Sequence, residues 1–213
     1  KAAAAATAAA VAGAATAIGA LTTKAIEGYA AQEQLVGGVE TLFKTSSDTV
    51  VGYANDAYKT AGMSANEYME TVTSFSASLL ASMNNDTAAA AEKANVAITD
   101  MSDNANKMGT DISLIQNAYN GFAKQNYTML DNLKLGYGGT KEEMQRLLDD
   151  ASKLSGIKYD ISSYSDVVDA IHVVQTEMGI TGTTAKEAST TIEGSVSSMS
   201  SAWDNWVAGM ADS

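Results

Sequence analysis

Residues 64–85 read SANEYMETVTSFSASLLASMNN, and this stretch decides the fold class of the chain. Ser64 stands three residues before Glu67. At that spacing the serine oxygen accepts the Glu67 backbone N–H while the Glu67 carboxylate returns to the Ser64 N–H, closing a capping box. Tyr68, Val72, Phe75, Leu79 and Met83 then recur every three or four residues, which predicts an amphipathic helix of about five turns. Asn84 and Asn85 break it.

The same start and stop signals recur along the chain. Downstream, Asp86 caps TAAAAEKANVAITDMSDNANKM (87–108), where Ala90, Ala94, Ala97, Ile98, Met101 and Met108 share a face before Gly109. Asp111 opens the next helix, and residues 127–135, YTMLDNLKL, carry Met129, Leu130 and Leu133 toward a loop at Tyr137, Gly138 and Gly139. Thr140 and Glu143 make a second capping box; Met144, Leu147, Leu148 and Leu154 follow on one side, and Gly156 closes that helix. The alternating stretch IKYDIS (157–162) is too short and too isolated to stand as a strand and is read as a connecting loop. Ser163 precedes a helix with Val167, Val168, Ile171, Val174 and Met178 as its stripe, ending at Gly179. Ala188, Ile192, Val196, Met199, Trp203, Trp206 and Met210 then predict one C-terminal helix.

Upstream, Val50, Val51, Ala54, Ala57 and Tyr58 mark a helical face that stops at Gly62, and the consecutive Gly37 and Gly38 are expected to end the helix before it. Residues 2–23 carry no charge, but their only large aliphatics are Val11, Ile18 and Leu21. This predicts a helix whose small faces pack closely on another helix, with membrane contact of 2–23 as the alternative. The expected architecture is therefore all-α: short amphipathic helices joined by glycine turns, preceded by a long Ala-rich helix. It divides into an Ala-rich segment 1–36, a helical core region 37–182 and a C-terminal amphipathic helix 183–213.

Composition agrees with this class. Proline is absent from all 213 residues, removing the strongest helix breaker. The 46% apolar content is inflated by alanine and aromatics make up only 7%, so extended or loosely bundled helices are expected instead of a dense core. Without cysteine there is no disulfide and no thiolate metal site. A formal charge of −12 opposes contact with a phosphate backbone, which argues against specific nucleic-acid binding. Lys1 in place of a methionine is expected of an internal segment or a processed product.

The residues offer no catalytic, cofactor-binding or metal assignment. His172 is the single histidine and lies in an apolar helical run, so a structural role is expected. Arg146, the single arginine, stands among Glu142, Glu143, Asp149 and Asp150 and reads as an intrahelical ion-pair partner, while those adjacent carboxylates diverge around the helix as a solvated face. DNANKMG from Asp103 lacks the ligand alternation and closing glutamate of a calcium loop. The glycines of GYGG (136–139) lack the lysine and preceding strand of a phosphate loop and read as a flexible turn. Trp203 and Trp206, three apart on a helix, are expected to pack or to meet a partner.

Long phrases carry a family resemblance. EQLVGGVETLFKTSSDTVVGYANDAYKTAGMSANEYMETVTSFSASLL, AITDMSDNANKMGTDISLIQNAYNGFAKQNYTMLDNLKLGYGGTKEEMQRLLDDASKL and GTTAKEASTTIEGSVSSMSSAWDNW together resemble the core region of tape-measure proteins from long-tailed bacteriophages and prophages of Gram-positive bacteria, over roughly Glu33 to Asp204. NNDTAAAAEKAN departs from it, with alanine where longer residues are expected, and the Ala-rich start resembles it less. The resemblance implies a structural, non-enzymatic virion protein without cofactors. Such a protein extends inside the tail tube, sets tube length during assembly in the host bacterial cytoplasm and leaves ahead of DNA at genome ejection. It implies tail-tube proteins, tail assembly chaperones and tail-tip proteins as partners, together with self-association. Helix rise supplies the ruler: fully helical, the chain would reach on the order of 320 Å. The competing readings are a membrane-active helical module that assists DNA delivery, and a secreted helical effector or signalling rod.

Overall fold

The computed structural model describes residues 32–190 and 192–210, and within that range every regular element is a helix. Helix α1 occupies 32–43 and a 3-10 turn at Lys44–Ser46 leads into α2 (Ser47–Thr60). Then follow α3 (Ala65–Ser82), α4 (Thr87–Met108) and α5 (Ile112–Phe122). A loop holding a 3-10 turn at Leu130–Leu133 leads to α6 (Lys141–Ser155), α7 (Tyr164–Glu177), α8 (Thr183–Thr190) and α9 (Ile192–Met210). The Ala-rich helix expected at 2–23 lies outside the described residues.

The helix ends follow local chemistry. The Ser64 box closes in both directions, with the Glu67 N–H on the Ser64 oxygen at 3.3 Å and the Ser64 N–H on the Glu67 carboxylate at 2.8 Å. Asp86, Asp111 and Ser163 accept first-turn N–H groups of α4, α5 and α7. Asn84 and Asn85 break α3 with φ of 54° and 60°, and Gly109 and Gly156 cap α4 and α6 in the left-handed conformation that glycine adopts without a Cβ penalty. At Thr140 only half of the expected box forms. Thr140 accepts the Glu143 N–H at 3.2 Å, but the Glu143 carboxylate turns to the Gly138 N–H at 3.0 Å and to Arg146.

One contiguous core runs from Val39 to Ile180, and α4 is its axis: α2, α3, α5, α7, α8 and both 3-10 turns pack on it. Ala90, Ala91, Ala94 and Ala97 of α4 are wholly buried, so the alanines that looked like missing core material instead let neighbouring helices approach closely around Tyr68, Phe75, Tyr119 and Phe122. The dense core is a correction to the loose bundle expected from composition. Helix α6 joins chiefly through α7, with Met144, Leu147, Leu148 and Ala151 buried. Leu154, expected on the same side, is 50% exposed because it falls in the last turn, beyond the reach of that stripe.

Two further expectations are overturned. Gly37 and Gly38 do not end a helix: α1 runs through both, so the boundary drawn between 36 and 37 falls inside it. Burial of Val39 and Phe43 outweighs the local cost of two glycines, and Gly38 sits 3.5 Å from Thr73 of α3, measured from where its Cβ would be. The single C-terminal helix of 183–213 is instead two, α8 and α9. Thr184 and Ser197 both come within 4 Å of a Cβ placed on Gly62, whereas thirteen residues of continuous helix would hold them about 20 Å apart. The chain doubles back between them, and Asn205 of α9 reaches the Ala65 N–H at 2.9 Å.

These glycines give a paired test by urea unfolding. A Cβ at Gly37 meets nothing within 4 Å, so Gly37→Ala is expected to stabilise the protein by about 0.5–1 kcal/mol. A Cβ at Gly139 would lie 2.2 Å from the Thr128 carbonyl oxygen, so Gly139→Ala is expected to destabilise it by about 1–3 kcal/mol. Equal effects of the two substitutions would contradict this packing.

Candidate functional site: the buried polar face of helix α4

Asp100, Asp103 and Asn104 stand at i, i+3 and i+4 on α4, hence on one face, and each is at most 1% exposed. A buried carboxylate is costly unless its oxygens accept hydrogen bonds or meet a cation, so the partners of these three residues define the site. Asp103 binds far along the chain. Its Oδ2 accepts the Gly182 N–H at 2.6 Å and its Oδ1 the Thr184 N–H at 2.8 Å, serving the open N-terminus of α8 as a cap residue would. Asn104 donates through Nδ2 to the Leu133 carbonyl at 3.0 Å and so fixes the second 3-10 turn.

Asp100 meets His172 of α7, with Nδ1 at 3.0 and 2.9 Å from its two oxygens. The hydrogen bond to Asp100 raises the His172 pKa above its ordinary 6.5, overcoming the burial that lowers it; the Asp100 and Asp169 charges add and Lys93 subtracts. Burial in turn lifts the Asp100 carboxyl above the usual range by more than His172 lowers it. Lys93 and Asp169 form an ion pair at the edge of the same α4–α7 contact. The Tyr119 and Tyr164 hydroxyls and the Gln175 amide are buried as well, with Tyr119 near Asp100, Tyr164 and Gln175. Burial, and then the Asp100 charge, pushes the Tyr119 hydroxyl well above its ordinary range.

The sequence-predicted candidates fall in different places. His172 lies at the contact of α7 with α4, and its partner Asp100 was not foreseen. The signal available was Lys93, Ala97, Asp100 and Asn104 at helical spacing, which puts polar groups beside the alanine stripe. Asp103 and Asn104, within the stretch compared with a calcium loop, are instead joints between helices. Arg146 does more than pair along α6. Besides Glu143 it donates to the Gly136 carbonyl at 2.8 Å, and its guanidinium lies 4.3 Å from the centre of the Tyr137 ring. With the Gly138 N–H on Glu143 and Tyr137 donating to Asp150 at 3.1 Å, the GYGG turn is pinned, a correction to the flexible turn. The Glu143 carboxyl is lowered to about 2, chiefly by its hydrogen bond from Arg146. Glu142 and Asp149 remain on the exposed face. Trp203 and Trp206 touch in a tilted pair with ring centres 4.8 Å apart, yet are 53% and 52% exposed.

No family model, curated protein or solved structure matches the chain. The site is therefore judged on its own geometry. The Asp100 oxygens are committed to His172, no described hydroxyl reaches His172 Nε2, and no group of three or more His, Asp or Glu among the described residues could hold a metal ion. What this arrangement does chemically is fasten α7, α8 and the second 3-10 turn to α4.

The His172–Asp100 contact sets a pH dependence. Below pH 6.5 folded and unfolded chains both carry the imidazolium, and the pair contributes in full. As pH rises from 6.5 through the higher folded value, only the folded chain still holds the proton, so stability falls. The raised Asp100 carboxyl has the same sign, its contribution also being lost as pH rises. In Asp100→Asn the His172 ring titration, followed by NMR, is expected to move down, because burial and Lys93 are then opposed chiefly by the Asp169 charge. A titration unmoved by the substitution would contradict the pairing.

Proposed function

We propose that this chain is a segment of a bacteriophage tail tape-measure protein, a structural component that sets tail-tube length during assembly and leaves the tube during genome ejection. The observation that carries the reading is the resemblance of long phrases between Glu33 and Asp204 to the core region of that family. The all-α build agrees with it, since a helical polymer converts residue number into length at about 1.5 Å per residue. The use of polar groups agrees as well: Asp100, Asp103, Asn104 and Arg146 are spent on joining helices and turns. In this role the chain sits in the tail-tube lumen, with tail-tube, chaperone and tail-tip proteins as its contacts.

The folded core refines the ruler. Residues 37–182 laid end to end as helix would span about 220 Å, whereas a compact body of that size is on the order of 30 Å across. Opening the bundle would expose Phe43, Tyr68, Phe75, Tyr119 and Phe122, so an extended form needs other protein surfaces to cover them. The second reading, a membrane-active module, draws on the exposed Trp203 and Trp206, while no described helix is long and apolar enough to cross a membrane.

In-frame deletion of 37–182 from the phage gene, with tails measured by electron microscopy, tests the proposal. Tails shorter by about 220 Å are expected if the segment lies extended in the tube, and by about 30 Å if it is carried folded. Assembled tails of unchanged length would overturn the ruler role for this segment.

A further inference from the structure

A groove of about 680 Å³ opens between α3, α5 and the α8–α9 hairpin. That size suits a ligand or a short stretch of chain. Among the described residues no Lys, Arg, Phe, Tyr or Trp lines it, while three carboxylates do: Glu67 and Glu70 from α3, and Glu187 from α8, which accepts a hydrogen bond from Asn106. Glu67 is tied to the Ser64 cap, but Glu70 has no ion pair among the described residues.

Between these carboxylates runs a row of amides from successive turns of α5. Gln116 donates to the Thr71 hydroxyl at 3.0 Å, which leaves its carbonyl oxygen available. Asn120 accepts from Ser74 at 2.9 Å, which leaves its N–H groups available. Asn117, exposed on the same wall, makes no side-chain hydrogen bond among the described residues. Across the groove, the Ser198 hydroxyl oxygen is buried and has no partner among the described residues.

This lining selects by chemistry. Phosphate backbones are repelled by the carboxylates and by the charge of −12. Nucleobases and sugar rings find no aromatic face to stack on. Among the described residues an apolar helix finds only Met63 and Ile112 as large apolar contacts. An extended polypeptide fits. Its N–H and C=O groups match side-chain amides, each of which offers both donor and acceptor, and a basic side chain meets Glu70.

We propose that the groove between α3, α5 and α8–α9 binds an extended, lysine- or arginine-bearing peptide segment of a partner protein. This goes beyond the tape-measure reading and does not depend on it.

The test uses the whole chain and a blocked hexapeptide, acetyl-GKSGKS-amide, with acetyl-GESGES-amide as control, followed by NMR of the side-chain amides. The lysine peptide is expected to shift Gln116, Asn117 and Asn120 saturably while the glutamate peptide leaves them unmoved. Glu70→Lys is expected to weaken the lysine peptide roughly fivefold, and Glu142→Lys, the same charge change on exposed α6, less than about twofold. Shifts spread over the acidic surface, equal weakening by both substitutions, or silence at the three amides would each overturn the proposal. Binding of the glutamate peptide at the same amides would do so as well.

Discussion

The structure depends on what α4 buries. Along its first three turns the helix offers alanine at 90, 91, 94 and 97, which brings neighbouring backbones close. One turn later it offers Asp100, Asp103 and Asn104, which the closed core shuts away from water. Close packing alone is non-directional and leaves helices free to slide. A buried carboxylate is not so forgiving: displacing its partner leaves a desolvated charge, a loss of several kcal/mol. Asp100 thus fixes where α7 crosses, Asp103 where α8 begins, and Asn104 where the second 3-10 turn lies. The alanines supply proximity and the polar turn supplies register.

Much of this was legible locally. The capping serines and aspartates, the left-handed glycines after α4 and α6, and the stripes of α3 and α7 depend on neighbours within four or five residues. What was not legible depends on distant partners. Asp103 acts on residues about 80 positions away, so its own surroundings suggest only a polar turn of a helix. Gly37 and Gly38 carry a real local penalty, but Val39 and Phe43 beside them are buried by helices that follow. The C-terminal stripe from Ala188 to Met210 has helical spacing throughout, and only the contacts of Thr184 and Ser197 with Gly62 reveal that the chain turns back. Alanine was misjudged because its small volume was taken as absence of core, when at a helix crossing small volume is the means of packing.

The same division separates stable scaffold from interaction surface. The face of α4 that binds α3, α5 and α7 is sealed, while α8, which packs on α4 and α2 without a buried residue of its own, and α9, which packs on α2, are joined to the rest by Asp103 and polar contacts near Gly62 and Ala65. That weaker end carries the exposed Trp203 and Trp206 and one wall of the amide-lined groove. A helical protein with a rigid centre and a lightly held rim can meet a ligand at the rim without disturbing the core.

Native-state hydrogen exchange tests the primacy of α4 most directly. The backbone amides of residues 94–101 are expected to exchange only through global unfolding and those of α8 through local opening, with Asp103→Ala raising the α8 rates further while leaving α6 unchanged. Slow exchange centred on α6 and α7, with α4 opening locally ahead of them, would contradict the account.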